Sequence, residues 1–406
     1  MSKNTHLEHL EDSILLDGKQ GAKDAFVFID LLANTFSGKG SNSFKITTKW
    51  DGAPAIFCGI HPVVGKFFVG TKSIFNKSPK INFTAQDIDR NHGDSPGLVE
   101  KLKVALEYFP ELGIKGIAQG DLLFTDDTST KTIDGKKQLT FQPNTITYAI
   151  PESDDFYVKA KAAKIGVVFH TTYRGSTIET LNASFGYDVS KLKETKNVLV
   201  LSSETGQLGK DTLLTNAEKS SLTRLKQKTT LLLSRSGNFL DVVSQQIADK
   251  DQLTIGPRLK IFFNKYVRDG KRLPLPEKFV KEFKNYFQEE VHKAADKVKT
   301  PKSKASKLSK LYDGLDLIDS NEDGLKRTVE LYTVLQGAKE VFIRKLEKGE
   351  RFGTYLKTED GYQITAPEGY VAIQEGNTAV KLVDRLSFSV ANFNVEKNWV
   401  NGDTKQ

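Results

Sequence analysis

Four consecutive residues, Lys49-Trp50-Asp51-Gly52, are the strongest candidates in the sequence for a reactive site. They lie between two segments that are typical of β-strands. A lysine amine acts as a nucleophile when burial or neighbouring cations keep part of it neutral, and the Asp-Gly turn would let a ligand approach the backbone closely. A lysine before an ordinary hairpin turn is the simpler alternative, because a motif with three fixed residues also arises by chance.

Five further segments follow in an order that matches a known family. They are Gly70-Thr71-Lys72-Ser73, Gly120-Asp121-Leu122-Leu123, Ile165 to Gly175 (IGVVFHTTYRG), Glu368-Gly369-Tyr370-Val371 and Val380-Lys381-Leu382. With Lys49 to Gly52 as a K-x-D-G motif, the chain resembles the covalent nucleotidyltransferase superfamily of ATP-dependent DNA and RNA ligases and mRNA capping enzymes. Five ordered partial matches are hard to obtain by accident.

The resemblance implies a role for each matching residue. Lys49 would be the catalytic nucleophile that takes AMP from ATP as a lysyl-AMP phosphoramidate, and Lys381 would hold the α-phosphate. Glu368 would bind Mg²⁺ or Mn²⁺, and Asp121 would contact the ribose or the metal. Cations and a metal suit this reaction, because attack on the α-phosphate builds negative charge on oxygen. The implied cofactor-binding residues are Lys49, Asp51, Gly52, Lys72, Asp121, Phe169, Glu368 and Lys381, with Glu368 and Asp121 as metal ligands.

Two of the matching segments concern the ribose and the base. Lys72 would offer a basic side chain to the ribose and the nucleic acid. In IGVVFHTTYRG, Phe169 is the first candidate to stack on the purine and Tyr173 is the second. His170 follows Phe169, and side chains alternate along a strand, so the two should point to opposite faces. The sequence does not decide which of them faces the nucleotide.

Two positions depart from the family's pattern. The last motif has Val383 where a second lysine is expected, with Arg385 two places on as a candidate substitute. The acidic strand carries Asp121 where the family has Glu, which shortens the reach by one methylene. A variant active site and a degenerate one both fit. The alternatives are therefore a non-catalytic, ligase-like protein that binds nucleic acid or builds a virion, and an enzyme that nucleotidylates another substrate.

The elements that must position these residues change along the chain. Helical patterns cover about Thr5 to Leu16 and Gly21 to Phe36. From Phe44, short β-rich segments (FKITTKW, APAIFCGI, KFFVGTK) predict an antiparallel meander, and further strands continue to KIGVVFHTTY. After about Thr215 the apolar spacing becomes helical. Strand-like alternation then returns in GYQITAPEGYVAIQEGNTAVKLVD, with Glu375-Gly376-Asn377 as the predicted hairpin turn.

This order predicts an α+β fold in three parts. The resemblance implies an antiparallel-sheet nucleotidyltransferase domain of the ATP-grasp-like ligase type, split by a large all-α insertion. Its first part would span residues 1–214, the basic helical insertion 215–350 and the closing part 351–406. Only 25 residues follow Lys381. We therefore expect no C-terminal OB domain, and the resemblance is closest to phage-type RNA ligases.

The basic charge is concentrated in the predicted insertion. The chain carries a net charge of +8, whereas Gly256 to Lys310 alone contains 16 Lys or Arg and 6 Asp or Glu, or 16 − 6 = +10. A concentrated cationic segment is typical of proteins that bind a phosphate backbone. A solvated surface in a lysine-rich protein is the alternative. The segment predicts a nucleic-acid partner, and the resemblance to RNA ligases implies RNA over DNA.

Composition excludes several other classes. No run of eighteen apolar residues could span a bilayer, so no membrane partner is expected. The start of the chain lacks the pattern of a signal peptide and Cys58 is the single cysteine, which predicts a cytoplasmic protein, in the host cytoplasm if it is viral. Asp319 to Glu330 has the spacing of a calcium loop. Lys326 and Arg327 occupy two of its positions, so an acidic cap for a helix starting near Leu325 is the preferred interpretation.

Together these features predict an ATP-dependent polynucleotide ligase, most simply an RNA ligase. It would seal 5′-phosphate and 3′-hydroxyl ends through lysyl-AMP, with ATP and Mg²⁺ or Mn²⁺ as cofactors. The residues do not decide between ATP and GTP, or between RNA and DNA.

Overall fold

A computed structural model describes residues 8–38, 44–204, 212–359, 361–374 and 378–386. The predicted turn Glu375-Gly376-Asn377 lies outside these ranges, although the strands on either side of it pair antiparallel. The helices are α1 (Ser13–Leu16), α2 (Gly18–Thr35), α3 (Ala85–His92), α4 (Pro96–Tyr108), α5 (Asp155–Ala162), α6 (Asn216–Ala248), α7 (Ile255–Arg268), α8 (Pro276–Asp296), α9 (Pro301–Ser320) and α10 (Glu322–Glu347). A short 3₁₀ turn, Leu10–Asp12, precedes α1.

The strands form three sheets, as the described residues show. They are β1 (Phe44–Lys49), β2 (Ala55–Ile60), β3 (Phe67–Gly70), β4 (Ile117–Phe124), β5 (Ser129–Ile133), β6 (Lys136–Phe141), β7 (Thr147–Pro151), β8 (Ile165–Arg174), β9 (Asn182–Phe185), β10 (Val198–Ser202), β11 (Gly353–Thr358), β12 (Gly361–Ile364), β13 (Gly369–Gln374) and β14 (Thr378–Leu382). The small sheet has the order β1-β13-β14, the central sheet β10-β8-β4-β2-β3 with β9 beside β8, and the outer sheet β12-β11-β7-β6-β5. The predicted combination of antiparallel sheet with a large helical region is confirmed.

The first three strands do not form the predicted meander. β2 and β3 pair with each other, but β1 pairs with β13, so the small sheet joins the two ends of the described chain. The two faces of β1 have different surroundings: Ile46 packs into the helical core, and Thr47 faces a cavity. β10, which the sequence analysis did not predict, runs parallel to β8 and is the one parallel pairing among the described strands.

The N-terminal helices pack with the helical region. Ala22, Phe26 and Ile29 recur at helical spacing on α2 and are buried in one core with α6 to α10. The same core receives Tyr370 and Leu382 from the small sheet. The five helices α6 to α10 lie within the predicted 215–350 segment, yet their core also contains the start of the chain and one face of the small sheet.

A buried ion pair fastens the 3₁₀ turn to α10. The Nζ of Lys339 lies 2.7 Å and 2.8 Å from the carboxylate oxygens of Glu11, and the two side chains are 3% and 0% exposed. Beside it, the hydroxyl of Tyr332 donates to Asp12 at 2.9 Å. These contacts hold the start of the described chain against the helical core.

The segment from Asp319 to Glu330 does not form a calcium loop. α10 begins at Glu322, inside the segment and before the predicted start near Leu325, and Asn321 at its N-cap makes no side-chain capping bond. The carboxylates are held by basic side chains: Asp319 by Lys284, Asp323 by Arg235 and Glu330 by Arg327.

Among the described residues, no helix combines the length and the apolar character that crossing a membrane requires.

Candidate active site

Strand pairing in the small sheet brings Lys49 and Glu368 together. Lys49 is the last residue of β1 and pairs with Gly369, the first residue of β13. Glu368 therefore lies beside Lys49 although 319 residues separate them, and its carboxylate forms an ion pair with the Lys49 ammonium. This contact depends on pairing between the two ends of the described chain.

Alternation in the small sheet adds Lys381 to the same face. Thr47, Val371 and Lys381 lie in register across the three strands, and all three line one cavity. The neighbouring residues Tyr370 and Leu382 point the other way, into the helical core. Because one face is fixed by apolar packing, the opposite face has to present its lysines to the cavity.

The central sheet forms the opposite wall of this cavity. Asp121 of β4 faces it, whereas Ala118 and Leu122 pack on the other side, in the core that α4 covers. The cavity encloses about 270 Å³, at the small end of ligand pockets, which run from about 300 to 1,000 Å³. Lys49, Asp121 and Lys381 thus line one cavity between two sheets.

A β-bulge decides which side chains of β8 face the cavity. Gln119 pairs with Thr171 but Gly120 pairs with Phe169, so His170 is the extra residue. His170 and Thr171 both line the cavity. A Cβ on Gly120 would lie 2.4 Å from the backbone oxygen of Val168, so the strands approach this closely only with glycine there.

The bulge also corrects the prediction for Phe169. Its side chain is 0% exposed and packs in the core behind the central sheet, with its ring 5.8 Å from Phe109 and 5.2 Å from Tyr187. A base bound in the cavity cannot stack on it. His170 lines the cavity instead, with its Nε2 3.5 Å from Asp121, and Tyr173, the second candidate, lines it as well.

Asp51 is buried, and its carboxylate bonds to other parts of the protein. Its carboxylate accepts hydrogen bonds from the Asn144 amide group (2.7 Å) and from the backbone N–H groups of Thr145 (2.7 Å) and Ile146 (2.8 Å). Burial raises the pKa of Asp51, against the effect of these hydrogen bonds. The structure therefore corrects the prediction that Asp51 binds the nucleotide: it ties the K-x-D-G segment to the loop between β6 and β7.

Gly52 also serves the protein's own packing. A Cβ at this position would lie 2.5 Å from the Cβ of Asp121 and 2.9 Å from the backbone oxygen of Leu122. The sequence predicted that a ligand would approach the backbone closely here, but β4 occupies that place. Gly52 sets the separation between the K-x-D-G segment and the acidic strand.

Lys72 and Arg385 lie away from the cavity lining. Lys72 is exposed in a short 3₁₀ turn after β3. Arg385 lies on the other side of the small sheet, 3.1 Å from Asp12 and 2.7 Å from the Tyr332 hydroxyl, and Val383 is buried. Arg385 therefore does not replace the missing second lysine in the cavity. Lys381 is the single basic residue that the last motif brings to it in the described chain.

Burial controls the charges in the site. It raises the pKa of Glu368 to about 7, although the charge of Lys49 opposes the rise, and Asp51 and Asp121 add to it. Burial also lowers the pKa of Lys381, and the charge of Lys49 lowers it further. The site thus places a carboxyl with a pKa of about 7 in contact with Lys49 and near Lys381.

Two buried polar atoms at the cavity wall have no hydrogen-bond partner within the described chain. They are Nε1 of Trp50 and Oγ of Ser203. An unsatisfied buried polar group costs about 1–3 kcal/mol, which a bound ligand can recover. Trp50 otherwise packs on Tyr148, at 4.8 Å between ring centroids. Ser203 was not predicted from the sequence, because no motif marks it.

No cluster of three or more His, Cys, Asp or Glu suited to a metal is present in the described ranges. Glu368 and Asp121 lie close enough for Asp121 to raise the pKa of Glu368. Two carboxylates are the usual protein contribution to Mg²⁺ when substrate phosphates complete its shell. The donor set therefore fits a metal that arrives with a nucleotide.

The chain matches the family described as "Family of unknown function (DUF6267)" over residues 4–397. No curated protein and no solved structure matches it.

Proposed function

The chain belongs to DUF6267, and from its site we propose that it is a covalent nucleotidyltransferase, acting as an ATP-dependent polynucleotide ligase with RNA as the favoured substrate. The observation that carries this proposal is the ion pair between Glu368 and Lys49 at the wall of a cavity that Lys381 also lines. Asp121 faces them from the second sheet. A nucleophilic amine, a second cation and two carboxylates are the groups that nucleotidyl transfer to a lysine requires.

In the first step, the Nζ of Lys49 attacks the α-phosphorus of ATP. A P–N bond forms, the P–O bond to the β-phosphate breaks, and pyrophosphate leaves. Lys49 must lose a proton before it attacks, and the carboxylate of Glu368 lies in contact with it. A carboxyl with a pKa near 7 is well matched to accept that proton at neutral pH.

Lys381 would balance the charge that develops on the α-phosphate. It lines the cavity, and its partly buried ammonium has a stronger electrostatic effect there than in water. Mg²⁺ or Mn²⁺ held by Glu368 and Asp121 would supply further positive charge to the phosphates.

In the two later steps, AMP moves from Lys49 to the polynucleotide. A 5′-phosphate oxygen attacks the phosphorus of lysyl-AMP, the P–N bond breaks and the amine is restored. A 3′-hydroxyl then attacks the 5′-phosphorus of the adenylylated strand, loses its proton to solvent and displaces AMP. The strand is sealed by a new phosphodiester bond.

Label transfer from nucleotide to protein tests the proposal. The purified protein is incubated with α-labelled ATP or GTP and Mg²⁺ or Mn²⁺, denatured, and examined for an acid-labile, base-stable label. Wild type should be labelled by ATP, and Lys49→Ala and Lys49→Arg should not. Lys45→Ala is the matched control, because Lys45 lies on the same strand but pairs with Glu204 at the surface.

Other outcomes point elsewhere. Label from GTP alone would indicate capping-type transfer, and label on Lys49→Ala would show that the nucleophile is another residue. A labelled protein is then offered 5′-phosphorylated RNA and DNA with 3′-hydroxyl ends. Label without sealing of either would favour an enzyme that nucleotidylates another acceptor.

One observation favours a second candidate, a non-catalytic ligase-like module that binds nucleic acid or builds a virion. The last motif brings only Lys381 to the cavity in the described residues, because Arg385 is engaged with Asp12 and Tyr332. Folded protein that takes no label from either nucleotide would make this module the better account.

A further inference from the structure

The turn between α8 and α9, together with the first half of α9, carries a run of lysines without acidic residues. α8 ends at Asp296 and α9 begins at Pro301. From 297 to 312 the sequence contains six lysines and no Asp or Glu. We call residues 297–312 the hairpin tip. It is the most basic part of the segment whose excess charge the sequence shows.

Several lysines of α8 and α9 form ion pairs, but three exposed lysines at the hairpin tip do not. Among the paired ones are Lys284 with Asp319, Lys293 with Glu290, Lys304 with Asp296 and Lys310 with Asp251. By contrast, Lys297, Lys299 and Lys302 are exposed, and no carboxylate of the described chain lies within 4.0 Å of them. Their charge is therefore available to a partner.

Helix stability does not explain where these lysines lie. The first turn of α9 contains no acidic residue, and Lys302 is placed in it. The N-terminal end of a helix carries positive partial charge, so a lysine there is repelled by the helix itself. A cation at this position favours an anionic partner that outweighs the repulsion.

An exposed aromatic ring lies on the same helix. Tyr312 is 67% exposed, and no other aromatic side chain in the described ranges is comparably exposed. It follows Lys302 by ten residues, or about 15 Å along the helix axis. Unpaired bases stack on such rings while basic side chains hold the backbone, which distinguishes single strands from duplexes and from membranes.

We propose that the hairpin tip is a docking surface for single-stranded nucleic acid. Lys297, Lys299 and Lys302 contact the phosphates, and Tyr312 stacks on a base. The inference deepens the proposed ligase function, on which it rests for the identity of the strand, by naming the surface that holds the polynucleotide. Binding at this surface requires neither ATP nor the chemistry of Lys49.

Anisotropy of a dye-labelled 20-nucleotide oligo(U) RNA, titrated with the full chain without nucleotide, tests the surface. Each phosphate contact on a single strand contributes about 0.7 to the slope of log K against log salt. Replacing Lys297, Lys299 and Lys302 by Gln should lower the slope by about 2. It should also weaken binding about 100-fold at 0.1 M salt.

Replacing Tyr312 should change the affinity for RNA without changing its salt dependence. Tyr312→Ala should weaken binding about 5- to 150-fold with an unchanged salt slope, because stacking releases no counterions. Tyr312→Phe should bind like wild type. The matched control replaces Lys115, Lys131 and Lys136 by Gln. These exposed lysines lie in the sheet region and have no ion pair in the described chain. This control should leave the slope unchanged.

Equal loss in the two triple variants, or no loss in the hairpin variant, would overturn the proposal. So would binding of phosphatidylserine vesicles without binding of RNA, which would indicate a membrane surface. Label transfer from ATP is measured in parallel. Unlabelled wild type that still binds RNA through the tip would refute the ligase and leave this surface standing.

Discussion

Glu368 should make the folded protein less stable as the pH rises. Its pKa is raised from 4.5 to about 7, chiefly by burial, and its side chain is 13% exposed. Below pH 4.5 the carboxyl is protonated in the folded and the unfolded chain. Between pH 4.5 and 7 the unfolded chain loses this proton while the folded protein keeps it, so stability falls through that window.

The size of the effect follows from the two pKa values. At about 1.4 kcal/mol per pH unit, the difference between 4.5 and about 7 amounts to about 3 kcal/mol at pH 8. Glu368→Gln removes the ionisation and keeps an oxygen that can accept from Lys49. The variant should therefore be more stable than wild type by about 3 kcal/mol at pH 8 and by less than about 1 kcal/mol at pH 5.

Urea unfolding at pH 5 and pH 8 measures this difference. Glu204→Gln is the matched control, because Glu204 also pairs with a lysine of β1 but lies at the surface. Because the ion pair of Glu204 is exposed, this substitution should change stability by less than about 1 kcal/mol at either pH. If Glu368→Gln also shifts stability equally at pH 5 and pH 8, burial does not control this carboxyl and the reasoning is refuted.

Further substitutions test how the site is supported. Lys339→Met should cost about 3–5 kcal/mol in urea unfolding because Glu11 is left charged and buried. Adding Glu11→Gln should recover most of that loss. Gly52→Ala should cost about 1–3 kcal/mol, since its Cβ would overlap β4, and a variant as stable as wild type would contradict this. Phe169→Ala should cost about 3–5 kcal/mol yet keep label transfer from ATP below its unfolding temperature. His170→Ala should weaken labelling with little loss of stability. If Phe169→Ala weakens labelling and His170→Ala does not, Phe169 contacts the nucleotide.

Much of the local structure was predictable because it depends on neighbours in sequence. The helices of the 215–350 segment follow from apolar spacing that can bury only one face. β2, β4 and β8 follow from short β-rich runs bounded by Gly or Pro. The start of α10 was placed too late, because the carboxylates expected to cap it pair with basic side chains of other helices.

The candidate site, like the fold, was predictable from the sequence only in part. Residue types and chain order singled out Lys49, Asp121, Glu368 and Lys381. The structure brings Lys49, Asp121 and Lys381 to one cavity and places Glu368 against Lys49. Phe169 was misplaced because a bulge interrupts the strict alternation on which the prediction depended.

The sequence by itself determined most of the helices and strands and which residue types are available for chemistry, because propensity, periodicity and motif spacing are local properties. Only the tertiary structure decided that β1 leaves β2 for β13 and that Arg385 turns to Asp12. It also decided which lysines of α8 and α9 lack an ion pair in the described chain. Each of these outcomes depends on contacts between residues far apart in the chain, which local patterns do not specify.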